Sequence, residues 1–191
     1  MKTILYIHGF NSTGNGTKSE AIKKTFSQYK VLTPTFNYKD FNSVVKQLHS
    51  LFVVNKIDVA VGTSLGGFLA LYCASKYKVK CVAINPVTQP SETLKKMLGE
   101  NRNYVSKERY IMTEADLAKY KTFEDNEFSK IELKDENTRF LLSEDDELLG
   151  DHHYLEQRFP QCHHFSYFAG QGHRFNVHKP IFVSITELLG E

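Results

Sequence analysis

Short apolar runs alternate with amphipathic segments along most of this 191-residue chain. Apolar runs bounded by turn residues are typical of buried strands, and apolar residues recurring every three or four positions are typical of helices. Regular alternation of the two predicts a mostly parallel sheet of about six strands with helices on both faces, a three-layer α/β fold. The predicted strands are 3–7, 31–36, 58–63, 80–85, 138–143 and 163–169, and the predicted helices are 16–28, 40–54, 66–76, 91–99, 152–159 and 178–189.

The segment 100–137 breaks this alternation. Its aromatic residues are interleaved with many charges and show no clear strand period; they include Tyr104, Tyr110, Tyr120 and Phe123. The segment leaves the predicted sheet after residue 85 and returns at 138, so it has to cross the ends of the strands. We predict a small lid within one domain that spans 1–191; the alternative is a partly ordered excursion packed on the side of the domain.

One turn between a predicted strand and a predicted helix carries a nucleophile motif. The run Gly62-Thr63-Ser64-Leu65-Gly66 fits the pattern G-x-S-x-G, in which a serine stands on a tight strand-to-helix turn. The two glycines suit such a turn because a Cβ at either position would crowd it. The helix that follows directs free N–H groups toward the place where an oxyanion would form. We therefore predict that Ser64 is a catalytic nucleophile.

Partner residues for this serine follow later in the chain. A glycine-framed loop after the last predicted strand holds His173, where a general base belongs. The acidic run 144–147 directly follows the strand at 138–143 and supplies a carboxylate. The order serine, aspartate, histidine is that of α/β-hydrolases and differs from the orders of the two major serine-protease families.

The first predicted strand leads into His8-Gly9-Phe10, which predicts the remaining part of such a site. In hydrolases of this fold, an HG-x segment after such a strand lends one backbone N–H to the oxyanion hole, and the residue after the nucleophile lends the other. The predicted donors are the N–H groups of Phe10 and Leu65. His8 could instead merely orient the loop.

The same loop admits a second interpretation as a phosphate-binding P-loop, since residues 9–14 are rich in glycine and stand between a strand and a helix. That motif would require Lys and Ser or Thr at positions 15 and 16, where Asn15 and Gly16 stand. Lys18 comes three positions late, so the contact to the β- and γ-phosphates is missing. The hydrolase interpretation is favoured.

Several segments together resemble the small YqiA-like esterase family of α/β-hydrolases over nearly the whole chain. The specific segments are the His-Gly-Phe-Asn start at 8–11 and the Gly-Thr-Ser-Leu-Gly-Gly-Phe elbow at 62–68; Asn85-Pro86, the segment 146–149 and the segment 172–175 support the match by position. The resemblance implies hydrolysis of carboxylic esters of acyl groups without a cofactor. One departure is Gly172, where the family often has a carboxylate or an amide before the histidine.

Three aspartates after the strand at 138–143 compete for the role of catalytic acid. Asp151 is suited to cap the helix at 152, which would explain its presence. Asp145 and Asp146 are adjacent and should point in different directions, so that only one of them meets His173. The resemblance to the family's Asp-Glu-x-Leu segment selects Asp146.

Composition and charge exclude several classes of partner. The chain carries 24 Lys and Arg against 22 Asp and Glu, so no strong field attracts nucleic acid or an anionic surface. No apolar run approaches the length of a membrane span, and no pattern of a signal peptide opens the chain. The cysteines Cys73, Cys81 and Cys162 are odd in number and have no C-x-x-C spacing. We expect a cytoplasmic protein with no nucleic-acid or membrane partner.

Two histidine pairs, His152-His153 and His163-His164, raise the question of a metal site. Neighbouring residues on a strand point to opposite faces, so His163 and His164 would not both bind one ion. No H-E-x-x-H pattern is present either. We expect neither a metal nor a cofactor.

These features predict a serine hydrolase that cleaves small-molecule acyl esters or thioesters through an acyl-enzyme on Ser64. The alternative is a non-catalytic binding protein of the same fold. Such a protein has no need of an intact nucleophile, base, acid and oxyanion loop. Labelling by a fluorophosphonate probe distinguishes the two.

Overall fold

The computed structural model describes residues 1–190. The strands are β1 (Thr3–Ile7), β2 (Lys30–Leu32), β3 (Val59–Thr63), β4 (Lys80–Ile84), β5 (Gly99–Arg102), β6 (Arg109–Met112), β7 (Thr138–Ser143) and β8 (Phe165–Phe168). The α-helices are α1 (Thr17–Thr25), α2 (Phe41–Val54), α3 (Leu65–Tyr77), α4 (Pro90–Thr93), α5 (Glu114–Asn126), α6 (Tyr154–Arg158) and α7 (Lys179–Leu189). Short 3₁₀ turns cover Leu94–Met97, Phe128–Lys130 and Asp135–Asn137.

Six strands form one parallel sheet in the order β2-β1-β3-β4-β7-β8. This confirms the predicted fold class. Central parallel strands are buried on both faces and so appear in the sequence as continuous apolar runs, which is why the sequence locates them. Strand β2 is shorter than predicted and stops at Leu32, because the Phe36 N–H donates to His8 Nε2 at 2.9 Å instead of extending the ladder.

The two faces of the sheet carry separate layers of helices. Leu5 and Ile7 of β1 face a core formed with α2, α3 and α5, whereas Ile4 and Tyr6 face a core formed with α1 and α7. Helix α3 is buried over residues 65–74, since it lies between the sheet and other helices and has no polar face. No helix within residues 1–190 is both long enough and apolar enough to cross a membrane.

The excursion between β4 and β7 holds more regular structure than the sequence predicts. Strands β5 and β6 pair as an antiparallel hairpin, and helix α5 follows. A capping box opens α5: the Asp116 N–H donates to Thr113 Oγ1 at 3.2 Å, and the Thr113 N–H donates to Asp116 Oδ2 at 3.1 Å. The helix then packs on α2, where the rings of Tyr120 and Phe41 stack with centroids 4.1 Å apart.

Candidate active site

Ser64 stands between β3 and α3 in a strained backbone conformation. Its φ of 56° and ψ of −119° fall outside the regions that L-residues ordinarily occupy. The surrounding backbone holds this geometry: the Ser64 N–H donates to the carbonyl of Ile84 at 2.9 Å, and its own carbonyl accepts from Phe68 at 3.1 Å and from Val87 at 3.2 Å. These three backbone hydrogen bonds hold Ser64 in its strained conformation.

The two glycines of the turn leave no space for a side chain. A Cβ on Gly62 would lie 2.0 Å from the carbonyl oxygen of Gly66, and a Cβ on Gly66 would lie 2.0 Å from the carbonyl oxygen of Ile7. Both contacts are with backbone, which cannot swing aside as a flexible side chain can. The sequence pattern G-x-S-x-G thus reflects two close backbone approaches that bring β1, β3 and α3 together beneath Ser64.

The side chains of Ser64, His173 and Asp146 form a continuous hydrogen-bonded chain. His173 Nε2 lies 2.8 Å from Ser64 Oγ, and His173 Nδ1 lies 2.8 Å from Asp146 Oδ2 and 3.0 Å from Oδ1. An ionised carboxylate only accepts hydrogen bonds, so Nδ1 carries the proton and Nε2 is left to accept from the serine hydroxyl. This is the tautomer that a general base for Ser64 requires.

Asp146 is buried and remains ionised. Burial alone would raise the pKa of this carboxyl group, but hydrogen bonds from His152, His173 and the backbone N–H of Leu149 outweigh it and hold the pKa well below its usual range. Oδ1 accepts from the N–H groups of Leu148 at 3.0 Å and Leu149 at 2.9 Å. The carboxylate is therefore held in place by its own loop before it meets His173.

The acidic residues on either side of Asp146 bind the backbone of the histidine loop. Asp145 Oδ1 accepts from the N–H groups of Gln171 at 3.0 Å and Gly172 at 3.2 Å. Glu147 Oε2 accepts from the N–H of His173 at 2.7 Å, and this bond lowers the pKa of Glu147. Asp145 and Asp146 thus point to different partners, and the ring of His173 meets Asp146.

Asn85 joins the strand ends to the histidine loop, a role that the sequence did not predict. Its Nδ2 donates to Ser143 Oγ at 2.9 Å and approaches the carbonyls of His173 at 3.1 Å and Gly172 at 3.2 Å, and its Oδ1 accepts from the Ser143 N–H at 2.8 Å. Ser143 Oγ also donates to the Gly172 carbonyl at 2.7 Å. Asn85 is fully buried. The sequence signals that could have pointed to Asn85 are its place directly after β4 and its part in the family resemblance.

The loop after β1 lies against Ser64. A Cβ on Gly9 would lie 3.4 Å from the Cβ of Ser64, so the residue before Phe10 packs closely against the serine. Within residues 1–190, the N–H groups of Phe10 and Leu65 donate to no protein atom. These two N–H groups are therefore not occupied by other protein groups, as an oxyanion donor requires.

His8 orients this loop and is not free for chemistry. Its Nδ1 donates to the Gly9 carbonyl at 2.8 Å, and its Nε2 accepts from the Phe36 N–H at 2.9 Å. Burial lowers the pKa of His8, and the bond to Gly9 opposes that shift only in part. A neutral imidazole with both nitrogens occupied fixes the loop that carries Phe10.

The hairpin β5–β6 meets the same loop from the other side. The Tyr104 N–H donates to the Asn11 carbonyl at 2.9 Å, and Tyr110 donates its hydroxyl hydrogen to Asn11 Oδ1. The rings of Tyr110 and Phe10 meet edge to face with centroids 6.4 Å apart. The excursion is therefore ordered and attached to the loop that carries one candidate oxyanion donor.

Asp151 and Lys18 take positions that the sequence did not predict. Helix α6 begins at Tyr154 and not at 152, and Asp151 accepts from the N–H of His153 at 3.0 Å, so it does not cap the helix as predicted. Lys18 donates to the carbonyl of Arg174, next to His173.

The two histidine pairs bind nearby aspartates. His152 contacts Asp146, and His153 contacts Asp151. His163 and His164 precede β8, so strand alternation does not apply to them, and both approach Asp135, at 3.3 Å and 3.7 Å. The expectation that they point apart was therefore wrong. Among the described residues, no group of three or more His, Cys, Asp or Glu is arranged to hold a metal ion.

Known proteins of this fold include esterases and serine hydrolases. Alpha/beta hydrolase domain-containing protein 10 from mouse matches with a TM-score of 0.70 at 19% identity, covering 98% of this chain and 89% of that one. Est1E from Butyrivibrio proteoclasticus matches with a TM-score of 0.65 at 15% identity, covering 99% and 86%. The fluorophosphonate-binding serine hydrolase F of Staphylococcus aureus matches with a TM-score of 0.64 at 15% identity, covering 100% and 84%.

A protein-family model covers nearly the whole sequence as well. The model described as "Uncharacterised protein family (UPF0227)" matches residues 3–189. The matched range includes every residue of the site described above.

Proposed function

This chain belongs to the UPF0227 family, as the resemblance to YqiA-like esterases indicated, and we propose that it is a serine hydrolase that cleaves carboxylic esters or thioesters of acyl groups. One observation carries the proposal: Ser64 Oγ lies 2.8 Å from His173 Nε2 on a strained turn, while His173 Nδ1 lies 2.8 Å from the ionised Asp146. A serine hydroxyl is a weak nucleophile at neutral pH, and this arrangement supplies the base that it needs.

The proposed reaction runs through an acyl-enzyme. Ser64 Oγ attacks the acyl carbon while His173 Nε2 takes the hydroxyl proton, and Asp146 stabilises the resulting imidazolium. The N–H groups of Phe10 and Leu65 hold the oxyanion of the tetrahedral intermediate. His173 then gives its proton to the departing alcohol or thiol. Water then gives a proton to the same imidazole and attacks the acyl carbon; the bond from this carbon to Ser64 Oγ breaks, Oγ takes the proton back from His173, and the acid leaves.

We propose a small-molecule acyl ester or thioester as the substrate. The structural matches support a hydrolase of this class, since they include Est1E with bound ferulic acid and a fluorophosphonate-binding serine hydrolase. The free cysteines Cys73, Cys81 and Cys162 are buried, which suits the reducing cytoplasm where we expect the reaction to occur.

We propose further that the chain is a single domain in which the segment 100–137 is the lid. The contacts of Tyr104 and Tyr110 with Asn11 support this, because they attach the hairpin to the loop beside Ser64. Replacing the hairpin tip at 103–108 with a shorter turn should change acyl-chain preference and KM more than the rate of labelling at Ser64. An unchanged preference for acyl-chain length would contradict the lid and indicate that the segment only packs on the side of the domain.

A fluorophosphonate probe tests the proposed function. The wild-type chain should be labelled at Ser64 and should hydrolyse p-nitrophenyl esters, whereas Ser64→Ala should be neither labelled nor active and should keep the wild-type Tm. A matched control is Ser12→Ala, because Ser12 lies in the neighbouring loop outside the proposed chain of proton transfer. A folded wild type that is neither labelled nor active would favour the non-catalytic binding protein.

A further inference from the structure

A second histidine binds the carboxylate of Asp146. The side chain of His152 has no exposed surface, and its Nε2 lies 2.9 Å from Asp146 Oδ2. Oδ2 therefore lies between two imidazole rings, with His173 on its other side at 2.8 Å. The proton-transfer sequence proposed above makes no use of His152.

The partner of His152 determines which of its nitrogens donates a hydrogen bond. Because the ionised Asp146 only accepts hydrogen bonds, Nε2 of His152 has to carry a hydrogen. Its Nδ1 is buried and has no hydrogen-bond partner in the part of the chain that the structure describes. A hydrogen on Nδ1 would be a buried donor without an acceptor.

Packing alone does not account for a histidine at position 152. A phenyl ring would occupy a similar volume without burying an unpartnered nitrogen, which costs free energy. The histidine gains one interaction that a phenyl ring lacks, the hydrogen bond to Asp146. The contact with Asp146 is thus the property that distinguishes His152 from an apolar residue at this position.

We propose that His152 is a positioning residue that fixes the orientation of Asp146 and limits the negative charge that Asp146 presents to His173. The proposal rests on the function proposed above. Its geometric basis is that the N–H groups of Leu148 and Leu149 hold Oδ1 and His152 holds Oδ2, while His173 Nδ1 lies within 3.0 Å of both oxygens. Three donors other than His173 therefore fix the carboxylate in the orientation in which it meets His173.

Loss of the His152 N–H would have two consequences. The carboxylate would be held less firmly, so His173 would be misplaced and kcat would fall. The negative charge of Asp146 would also act on His173 without being shared with His152. This would favour the imidazolium form of His173 and move the acid limb of the kcat profile to higher pH. Other titratable groups interact with Asp146 or with these rings, and both variants below leave them unchanged: Glu147, Asp151 and Tyr154.

The test compares His152→Phe, which keeps the ring and removes the N–H, with His152→Gln, which keeps a donor. We expect His152→Phe to lower kcat about tenfold with little change in KM and to raise the acid limb of kcat by about half a pH unit. Its Tm should fall only modestly, because loss of the hydrogen bond to the buried carboxylate is partly offset by removal of the unpartnered nitrogen. His152→Gln should recover most of kcat and the wild-type acid limb.

Three outcomes would overturn the inference. One is a wild-type kcat and acid limb in His152→Phe, and another is equal loss in both variants. If His152→Phe does not fold, His152→Met tests the same loss, and failure of both to fold would assign His152 a structural role only. Labelling of the wild type at Ser64 separates these outcomes from failure of the proposed function, because that labelling does not involve a change at His152.

Discussion

The two sides of the candidate site are held by different means. On the side of Ser64, the contacts are between backbone atoms, and a single added carbon at Gly62 or Gly66 would lie 2.0 Å from a carbonyl oxygen. On the side of His173, the contacts are side-chain hydrogen bonds that join loops distant in sequence. Asn85, for example, bonds the carbonyl of His173, which lies 88 positions further along the chain.

Because of this difference, we expect changes on the two sides of the site to affect different properties, stability on one side and activity on the other. The turn at Ser64 is part of the packing between β1, β3 and α3, so changes there should cost stability. The histidine loop is positioned by single polar atoms, so changes there should cost activity while the fold persists. The predictions that follow test this distinction, beginning with the largest expected effect.

Asp146→Asn should lower kcat by about 10⁴-fold, because a neutral amide neither fixes the tautomer of His173 nor stabilises its imidazolium. The protein should remain folded, as judged by its circular dichroism and a cooperative melting transition. Asp145→Asn is the matched control, since an amide oxygen can still accept from Gln171 and Gly172. The reverse ranking of the two variants would reassign the catalytic acid to Asp145.

Gly66→Ala should lower the free energy of unfolding by about 3 kcal/mol or more, because the added Cβ would meet the carbonyl of Ile7. Denaturant unfolding measures this change, with Gly66→Ala introduced into the inactive Ser64→Ala variant so that catalysis plays no part. Gly16→Ala is the control, since a Cβ there would lie 3.6 Å from its nearest neighbour. Equal stability of the two variants would contradict the view that backbone packing holds the turn.

Asn85→Asp should lower kcat about 10- to 100-fold by moving the histidine loop, with a smaller effect on unfolding than Gly66→Ala. The carboxylate oxygen that replaces Nδ2 would face the carbonyl oxygens of Gly172 and His173, so two acceptors would meet where the amide now donates. The control is the exposed Asn37→Asp, whose oxygen accepts from Lys39 in either form. Wild-type kcat in a folded Asn85→Asp variant would show that the loop is positioned without this amide.

Much of the fold and the serine side of the site could be predicted because both depend on local patterns. The sheet follows from buried apolar runs, and the turn at Ser64 follows from two glycines between a strand and a helix. Within 100–137, the hairpin was missed because its strands are short and largely exposed, so apolar and polar residues do not alternate along them. Helix α5 could have been found, since Thr113 and Asp116 have the spacing of a capping box.

The histidine side was less accessible to sequence reasoning for a physical reason. Its geometry depends on which distant side chains meet, and no periodicity records such a meeting. Asn85 and Ser143 lie 58 positions apart and bond only because β4 and β7 are neighbours in the sheet. His152 was considered as a metal ligand, and its contact with Asp146 depends on how the loop between β7 and α6 folds back.

The order of the strands has a consequence for synthesis of the chain. From β3 onward, each new strand adds to the free edge of the sheet, in the order β3, β4, β7, β8. A chain made from its N-terminus can therefore complete the turn around Ser64 once β4 has emerged from the ribosome, at about 5–20 residues per second. His173, the proposed base, follows the last strand. On the proposed mechanism, the nascent protein would therefore hold its nucleophile in position but stay inactive until almost the whole chain has been translated.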